Sequence, residues 1–242
     1  MKILAFDTSN QPLSVAIVED NRILTEQLIN MKRNHSIQLM PAIEEALKQT
    51  KLTLGEMDYI AVANGPGSYT GLRIAVTIAK SLAWAQDIQL IGVSSLKVLA
   101  ANSQASADTY IVPLFDARRQ NIYAGLYRND KAGQLQMVEV DTHMAAEQYA
   151  EYLATLEGNF ELIGADAEQF IDIFTEKLGD RVHVAHPSLN VPRASVLALL
   201  AQDEKVTPAH QLVPNYLKLA EAEENWLKEN PDHKGDDWVE KV

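Results

Sequence analysis

Three short stretches of this chain hold side chains of the kind that handle phosphate or metal. The first is Asp7-Thr8-Ser9, which ends the apolar run Ile3-Leu4-Ala5-Phe6. A carboxylate at a strand end, with hydroxyls in the turn behind it, can face Mg²⁺ beside a phosphate. Such a turn ordinarily needs glycine, so that backbone N–H groups can approach the phosphate closely. Residues 8–12 contain no glycine, and the favoured reading of Asp7 is an Asx-turn. The second stretch is Gly65-Pro66-Gly67-Ser68-Tyr69-Thr70-Gly71-Leu72-Arg73. Glycines after a strand and before a helix can cradle an anion on the helix N-terminus. Gly65, Gly67 and Ser68 therefore join Asp7, Thr8 and Ser9 as a candidate nucleotide site. The stretch lacks the Gly-Lys-Ser/Thr ending of a P-loop and does not follow G-x-G-x-x-G. A tight turn with Ser68 or Thr70 capping the helix accounts for it equally well. The third is Asp116, which closes a second apolar run, 110–116, much as Asp7 closes the first.

Other chemistry is poorly provided for. The chain has no cysteine, which removes disulfides, thiolate metal sites and thiol nucleophiles together. His35 is followed four residues on by Leu39 and not by a second histidine, so the helical His pair of a metal site is absent. His183 and His186 lie three apart, with Pro187 next. No Ser/His/Asp set is evident. The expectation is no metal, no cofactor and no catalytic residue in this chain.

These residues must be held by an α/β scaffold. Apolar runs at 2–7 and 13–19, joined by Thr-Ser-Asn-Gln-Pro, read as a β-hairpin, with a third strand near 22–30. Ile37, Leu39, Met40, Ile43, Ala46 and Leu47 recur at helical spacing, with Ser36 as a candidate N-cap. A buried strand at 58–63 precedes the glycine stretch, and a second helix runs to about residue 86. A strand at 90–93 and a short helix near 95–102 follow. The pattern then repeats: Phe6-Asp7 falls on Phe115-Asp116, and Val15-Ala16-Ile17 falls on Ala124-Gly125-Leu126, at one constant offset. Two related α/β halves with a cleft between them are expected, spanning 1–102 and 103–218. Further helices are expected at 144–157, 166–178 and 193–202, with a strand at 160–164. From residue 219 the sequence turns acidic and reads as a solvated helix and tail; Trp238 within it has no explanation.

The second helix is unusually apolar. Leu72, Ile74, Ala75, Val76, Ile78, Ala79, Leu82 and Ala83 cover most of its circumference, and such a helix must be covered nearly all round. It is either central in the core or half covered by a partner. With Ile37, Leu39, Met40, Ile43 and Leu47 of the first helix, the residues Leu72, Ile74, Ala75, Ile78, Ala79 and Leu82 make a candidate packing surface across a dimer interface. Net charge is −12, which argues against binding RNA without a partner that supplies the positive face. No window holds the roughly 18 apolar residues of a membrane span, and the N-terminal run is too short for a signal peptide. A soluble cytoplasmic protein is expected.

Residues 65–74 resemble the signature Gly-Pro-Gly-Ser-(Phe/Tyr)-Thr-Gly-Leu-Arg-Ile of the TsaB (YeaZ) family. The opening Ile-Leu-Ala-Phe-Asp-Thr-Ser, Arg33-Asn34-His35-Ser36, and Phe115-Asp116-Ala117-Arg118-Arg119 extend the resemblance. It implies an actin/Hsp70/sugar-kinase type of fold and a part in making N6-threonylcarbamoyladenosine at position 37 of tRNAs that read codons beginning with A. It further implies a non-catalytic subunit that dimerises through its first two helices with the TsaD-type catalytic subunit. A TsaE-type ATPase would dock on that pair, and tRNA would be met only through the complex. A homodimer is expected when the partner is absent. Three rivals remain: an active ATP-dependent phosphotransferase using Asp7 and Asp116, a peptidase, and a homodimeric binding protein.

Overall fold

The computed structural model describes residues 1–31 and 35–218. The chain opens with β1 (Lys2–Asp7), β2 (Leu13–Glu19) and β3 (Arg22–Ile29), an antiparallel meander. Then come α1 (His35–Thr50), β4 (Tyr59–Gly65), α2 (Tyr69–Gln86) and β5 (Gln89–Ser94), with β4 and β5 added in parallel beside β1. After the short helix α3 (Ser95–Ala100) the plan repeats. A second meander, β6 (Thr109–Asp116), β7 (Asn121–Asn129) and β8 (Leu135–Ala145), is followed by α4 (Ala146–Ala154), β9 (Asn159–Ile163), α5 (Ala167–Leu178) and β10 (Val182–Val184). The chain then forms α6 (Ala194–Ala201) and β11 (Val206–Thr207). The sheets are ordered β11-β5-β4-β1-β2-β3 and β10-β9-β6-β7-β8. Apart from β11 they are the same sheet built twice, the duplicated arrangement of the actin/Hsp70/sugar-kinase type. Asp7 pairs with Ser14 and Asp116 with Ile122, so the second hairpin turn is one residue shorter than the first.

The run Ile3–Phe6 is apolar without alternation because its sheet is covered on both faces. Leu4 and Phe6 pack toward α1 and α2, whereas Ile3 and Ala5 pack toward α6. In the second lobe Val112 and Leu114 face α4 and α5. Between the lobes lies α3: Val98 joins the core under α6, while Leu96 and Leu99 join Ile111, Phe115, Tyr127 and Ile163. Polar contacts reinforce that seam. Ser94 donates to Asp141, which also accepts from the buried Tyr127 hydroxyl at 2.7 Å.

Several expectations need correction. Ser36 is the second residue of α1 and not its cap, because the helix already includes His35. The helix expected from 144 begins at Ala146, and the stretch before it is β8, an edge strand whose mixed polar and apolar residues hid it. The second half does not run to residue 218. From Ala194 the chain returns to the first lobe, where Ala194, Leu197, Ala198 and Ala201 are fully buried against Ile3, Ala5 and Val18. Among the described residues no helix is long and apolar enough to cross a membrane. The expected acidic tail, 219–242, lies outside the described residues.

Candidate functional site

The candidate nucleotide residues divide into two groups. A cleft of about 720 Å³ opens between the lobes, and Gly67, Ser68 and Asp116 line it together with Asn10, Arg118 and Asp166. The other members sit behind it: Thr8 and Ser9 are fully buried, Asp7 is 2% exposed, and Gly65 is buried. What separates the groups is the glycine stretch, which lies directly on the turn after β1. The Ser68 N–H donates to the Ser9 carbonyl at 2.7 Å, and the Thr8 hydroxyl donates to the Gly71 carbonyl at 2.8 Å. A Cβ on Gly67 would lie 2.3 Å from the Ser9 carbonyl oxygen, and one on Gly71 would lie 2.0 Å from that of Thr8. On its other side, a Cβ on Gly65 would lie 2.4 Å from the Asn215 carbonyl oxygen. These glycines are needed for backbone to approach backbone.

Three of the stretch's backbone donors are engaged within the chain. Ser68 N–H is taken by Ser9, Gly71 N–H by the Ser68 side chain at 3.3 Å, and Gly65 N–H by the Ser95 hydroxyl at 3.2 Å. Ser68 is the N-cap of α2, one of the two readings its position allowed. Asp7 forms the expected Asx-turn, with the Ser9 N–H 2.7 Å from its Oδ1. Its Oδ2 is buried without a hydrogen-bond partner. Burial pushes the Asp7 carboxyl up, against the opposing pull of Ser9 and His35. Asp116 repeats the turn: the Arg118 N–H lies 2.8 Å from its Oδ1, and the Arg118 guanidinium 3.4 Å from its Oδ2. Among the described residues no group of three His, Cys, Asp or Glu side chains could hold a metal ion. Asp7, Thr8 and Ser9 are thus committed to contacts within the chain, while Gly67, Ser68 and Asp116 face the cleft.

The apolar helix pair forms a different kind of site. Leu39, Ile43, Leu72, Ala75 and Ala79 are buried in the first-lobe core, so they are withdrawn from the candidate packing surface. What faces outward is Ile37 at 70% exposure and Trp84 at 85%, with Met40, Leu47, Ile74, Ile78 and Leu82 half-buried around them. A groove of about 490 Å³ runs between α1 and α2, lined by Ser36, Tyr69, Arg73, Ile74 and Ile78. The second lobe supplies the comparison. Its equivalent pair, α4 and α5, presents Glu147, Glu151, Glu168, Asp172 and Glu176 to solvent. There Lys177 bridges to Glu151 at 3.1 Å and to Glu147 at 3.4 Å. The outer face of α4 and α5 is mainly charged, whereas that of α1 and α2 sets Ile37, Trp84 and the half-buried aliphatics among exposed Glu44, Glu45, Lys48 and Arg73.

Comparison with known proteins agrees with this architecture. The family described as "TsaD: tRNA N6-adenosine threonylcarbamoyltransferase" matches residues 22–226. The tRNA threonylcarbamoyladenosine biosynthesis protein TsaB of Bacillus subtilis (strain 168) is 39% identical over 228 residues, 94% of this chain and 99% of that protein. TsaB of Escherichia coli (strain K12) is 28% identical over 177 residues, 73% of this chain and 76% of its own. The solved structure of YeaZ from Pseudomonas aeruginosa superposes with a TM-score of 0.75 at 25% identity, covering 89% of this chain and 99% of that one. The chain belongs to the TsaB (YeaZ) family of tRNA threonylcarbamoyladenosine biosynthesis proteins.

Proposed function

We propose that this chain is a non-catalytic subunit that binds and supports a TsaD-type threonylcarbamoyltransferase through the outer face of α1 and α2. The product of the pair is N6-threonylcarbamoyladenosine at position 37 of tRNAs reading codons that begin with A. The observation that carries this reading is the asymmetry between the two helix pairs. Large apolar side chains exposed on one lobe's helix pair only, Ile37, Tyr69 and Trp84, set among charges such as Glu44, Lys48 and Arg73, support a surface that a partner covers. In this reading the chain works in the cytoplasm, meets tRNA only inside the complex, and a TsaE-type ATPase docks on the assembled pair. The engagement of the Ser68, Gly71 and Gly65 N–H groups and the burial of Asp7 support a subunit without phosphotransferase activity.

A second reading, a homodimer of this chain through the same face, is favoured when the catalytic subunit is absent, because a surface shaped for a related subunit can meet its own copy. The test is light scattering after size exclusion, with the chain alone and mixed with the TsaD-type subunit of the same organism. A one-to-one peak that displaces any homodimer is expected. Ile78→Asp buries an uncompensated carboxylate at the contact and is expected to weaken binding about 100-fold, with unchanged far-UV circular dichroism. Undiminished complex formation by that variant would sink the interface assignment.

A further inference from the structure

The segment that follows β11 has an unusual construction. Its backbone is pinned to the first lobe at three places. Leu212 is 4% exposed within the lobe's core, the Lys80 ammonium donates to the Leu212 carbonyl at 3.0 Å, and the Asn215 N–H donates to the Asn64 carbonyl at 2.6 Å. The Asn215 carbonyl also rests on Gly65, where a Cβ would intrude to 2.4 Å. Yet the apolar side chains beside these anchors point outward: Val213 is 64% exposed and Tyr216 is 41% exposed. A backbone already fixed under exposed apolar side chains lowers the ordering cost when a partner arrives.

Those side chains stand beside α2. Tyr216 stacks on Tyr69 with ring centroids 5.0 Å apart. The Arg73 guanidinium lies over the Tyr69 ring at 5.2 Å and donates to its hydroxyl at 2.6 Å. Between this segment and α2 lies a groove of about 360 Å³ whose wall includes Tyr69, Arg73 and Thr77, residues that also line the groove between α1 and α2. The two grooves are opposite sides of one ridge. Among the described residues no acidic side chain makes an ion pair with Arg73 or Lys80, in a chain whose net charge is −12. Tyrosine and arginine in such a cluster are the residue types that dominate binding energy in protein interfaces. A chain this acidic is poorly suited to collect RNA on the same patch.

We infer that residues 212–216 are a second half of the partner surface, and that Tyr69, Arg73, Val213 and Tyr216 form one anchor site that takes an acidic side chain flanked by an apolar one from the catalytic subunit. This inference rests on the reading given under Proposed function, and deepens it by adding a contact outside the two helices.

The test measures the affinity of the full-length chain for the TsaD-type subunit by isothermal titration calorimetry, across Tyr216→Ala, Val213→Asp, Arg73→Glu and Ile78→Asp. Thermal melts confirm that each variant is folded. Tyr216→Ala is expected to weaken binding about tenfold and Val213→Asp more. Arg73→Glu is expected to weaken it and to flatten its dependence on salt, as removal of a charge complementing an acidic group requires. If Ile78→Asp abolishes binding while the first two variants stay within twofold of the parent, the anchor site is overturned and the helix interface stands. If Ile78→Asp is silent as well, both readings fall. Tighter binding by Tyr216→Ala would overturn the inference in favour of the chain's own residues beyond 218 as occupant. A self-dimer that Val213→Asp dissociates without touching partner affinity would overturn it in favour of a second copy. Loss of binding to a tRNA probe by the isolated Arg73→Glu chain would overturn it in favour of nucleic acid.

Discussion

Gly71→Ala separates two uses of the glycine stretch, as a cradle for a ligand or as a plug for the turn after β1. Gly71 lies in the first turn of α2, where alanine is intrinsically the better helix former by about 1 kcal/mol. The added methyl would sit 2.0 Å from the Thr8 carbonyl oxygen, about 1.5 Å inside ordinary contact distance. That oxygen is backbone and belongs to the fully buried Thr8, so the end of α2 must move away. The movement stretches the Thr8–Gly71 hydrogen bond of 2.8 Å and the Ser68–Ser9 bond of 2.7 Å. Two net hydrogen bonds are worth about 2 kcal/mol, and forced overpacking adds about 1–3 kcal/mol. Less the helix-propensity gain, the expected loss is about 2–4 kcal/mol, a drop in Tm of roughly 5–15 °C for a chain of this size. The assay is thermal and urea unfolding of the isolated protein, with no ligand added. A variant within about 1 kcal/mol of the parent would refute the plug, because glycines kept for a ligand cost the free protein nothing when filled.

Two titrating carboxylates give pH-dependent expectations of opposite sign. Burial raises the Asp7 carboxyl, so the folded chain holds a proton that the unfolded chain has released, and stability falls as pH climbs from about 4 through the folded value. Asp7→Asn keeps the acceptor for Ser9 and removes that slope. Its Tm should exceed the parent's at pH 7 by at least about 2 °C and converge with it near pH 4; no gain at pH 7 would mean that Oδ2 has a partner in solution. Glu26 is the reverse case. Burial pushes it up, but hydrogen bonds from Arg193 and Ser195 outweigh burial and hold it below its usual range. Its contribution is present above about pH 4.3 and is lost as pH falls through the folded value. Glu26→Gln should cost about 1–2 kcal/mol at pH 7, discounted because Arg193 is half exposed, and nothing at pH 2; a cost that persists at pH 2 in urea unfolding would show a packing effect instead.

The duplication was legible because Phe-Asp ends a buried strand twice, and β1 and β6 occupy equivalent central positions. α2 was legible from its apolar periodicity, but which of its sides faced inward was not. Ala75 and Ala79 read as small residues for a partner helix, and instead they let α2 sit close on its own sheet. Ile37, Tyr69 and Trp84 are the large apolar side chains exposed on the helix pair, and only the folded geometry separates them from Leu39 and Leu72. β8 escaped because an edge strand with one face open need not alternate cleanly. The occupied loop was half legible: the lack of glycine in residues 8–12 spoke against phosphate. The compensating role of Gly67 and Gly71 depends on contacts some sixty residues apart, which spacing alone does not reveal.

The return of the chain to its starting lobe has a consequence for how the protein is made. Synthesis proceeds from the N-terminus, and domains fold as their residues emerge. The second lobe has its whole sheet once β10 at Val182–Val184 has appeared. The first lobe, begun earlier, stays uncovered on one face until α6 arrives to bury Ile3, Ala5 and Val18. Its glycine loop gains the backing of Asn215 only after that. The older half of the molecule is therefore the later to mature, and the surface on α2 is braced only once residue 215 has emerged. A chain stopped before Asn215 would lack that bracing.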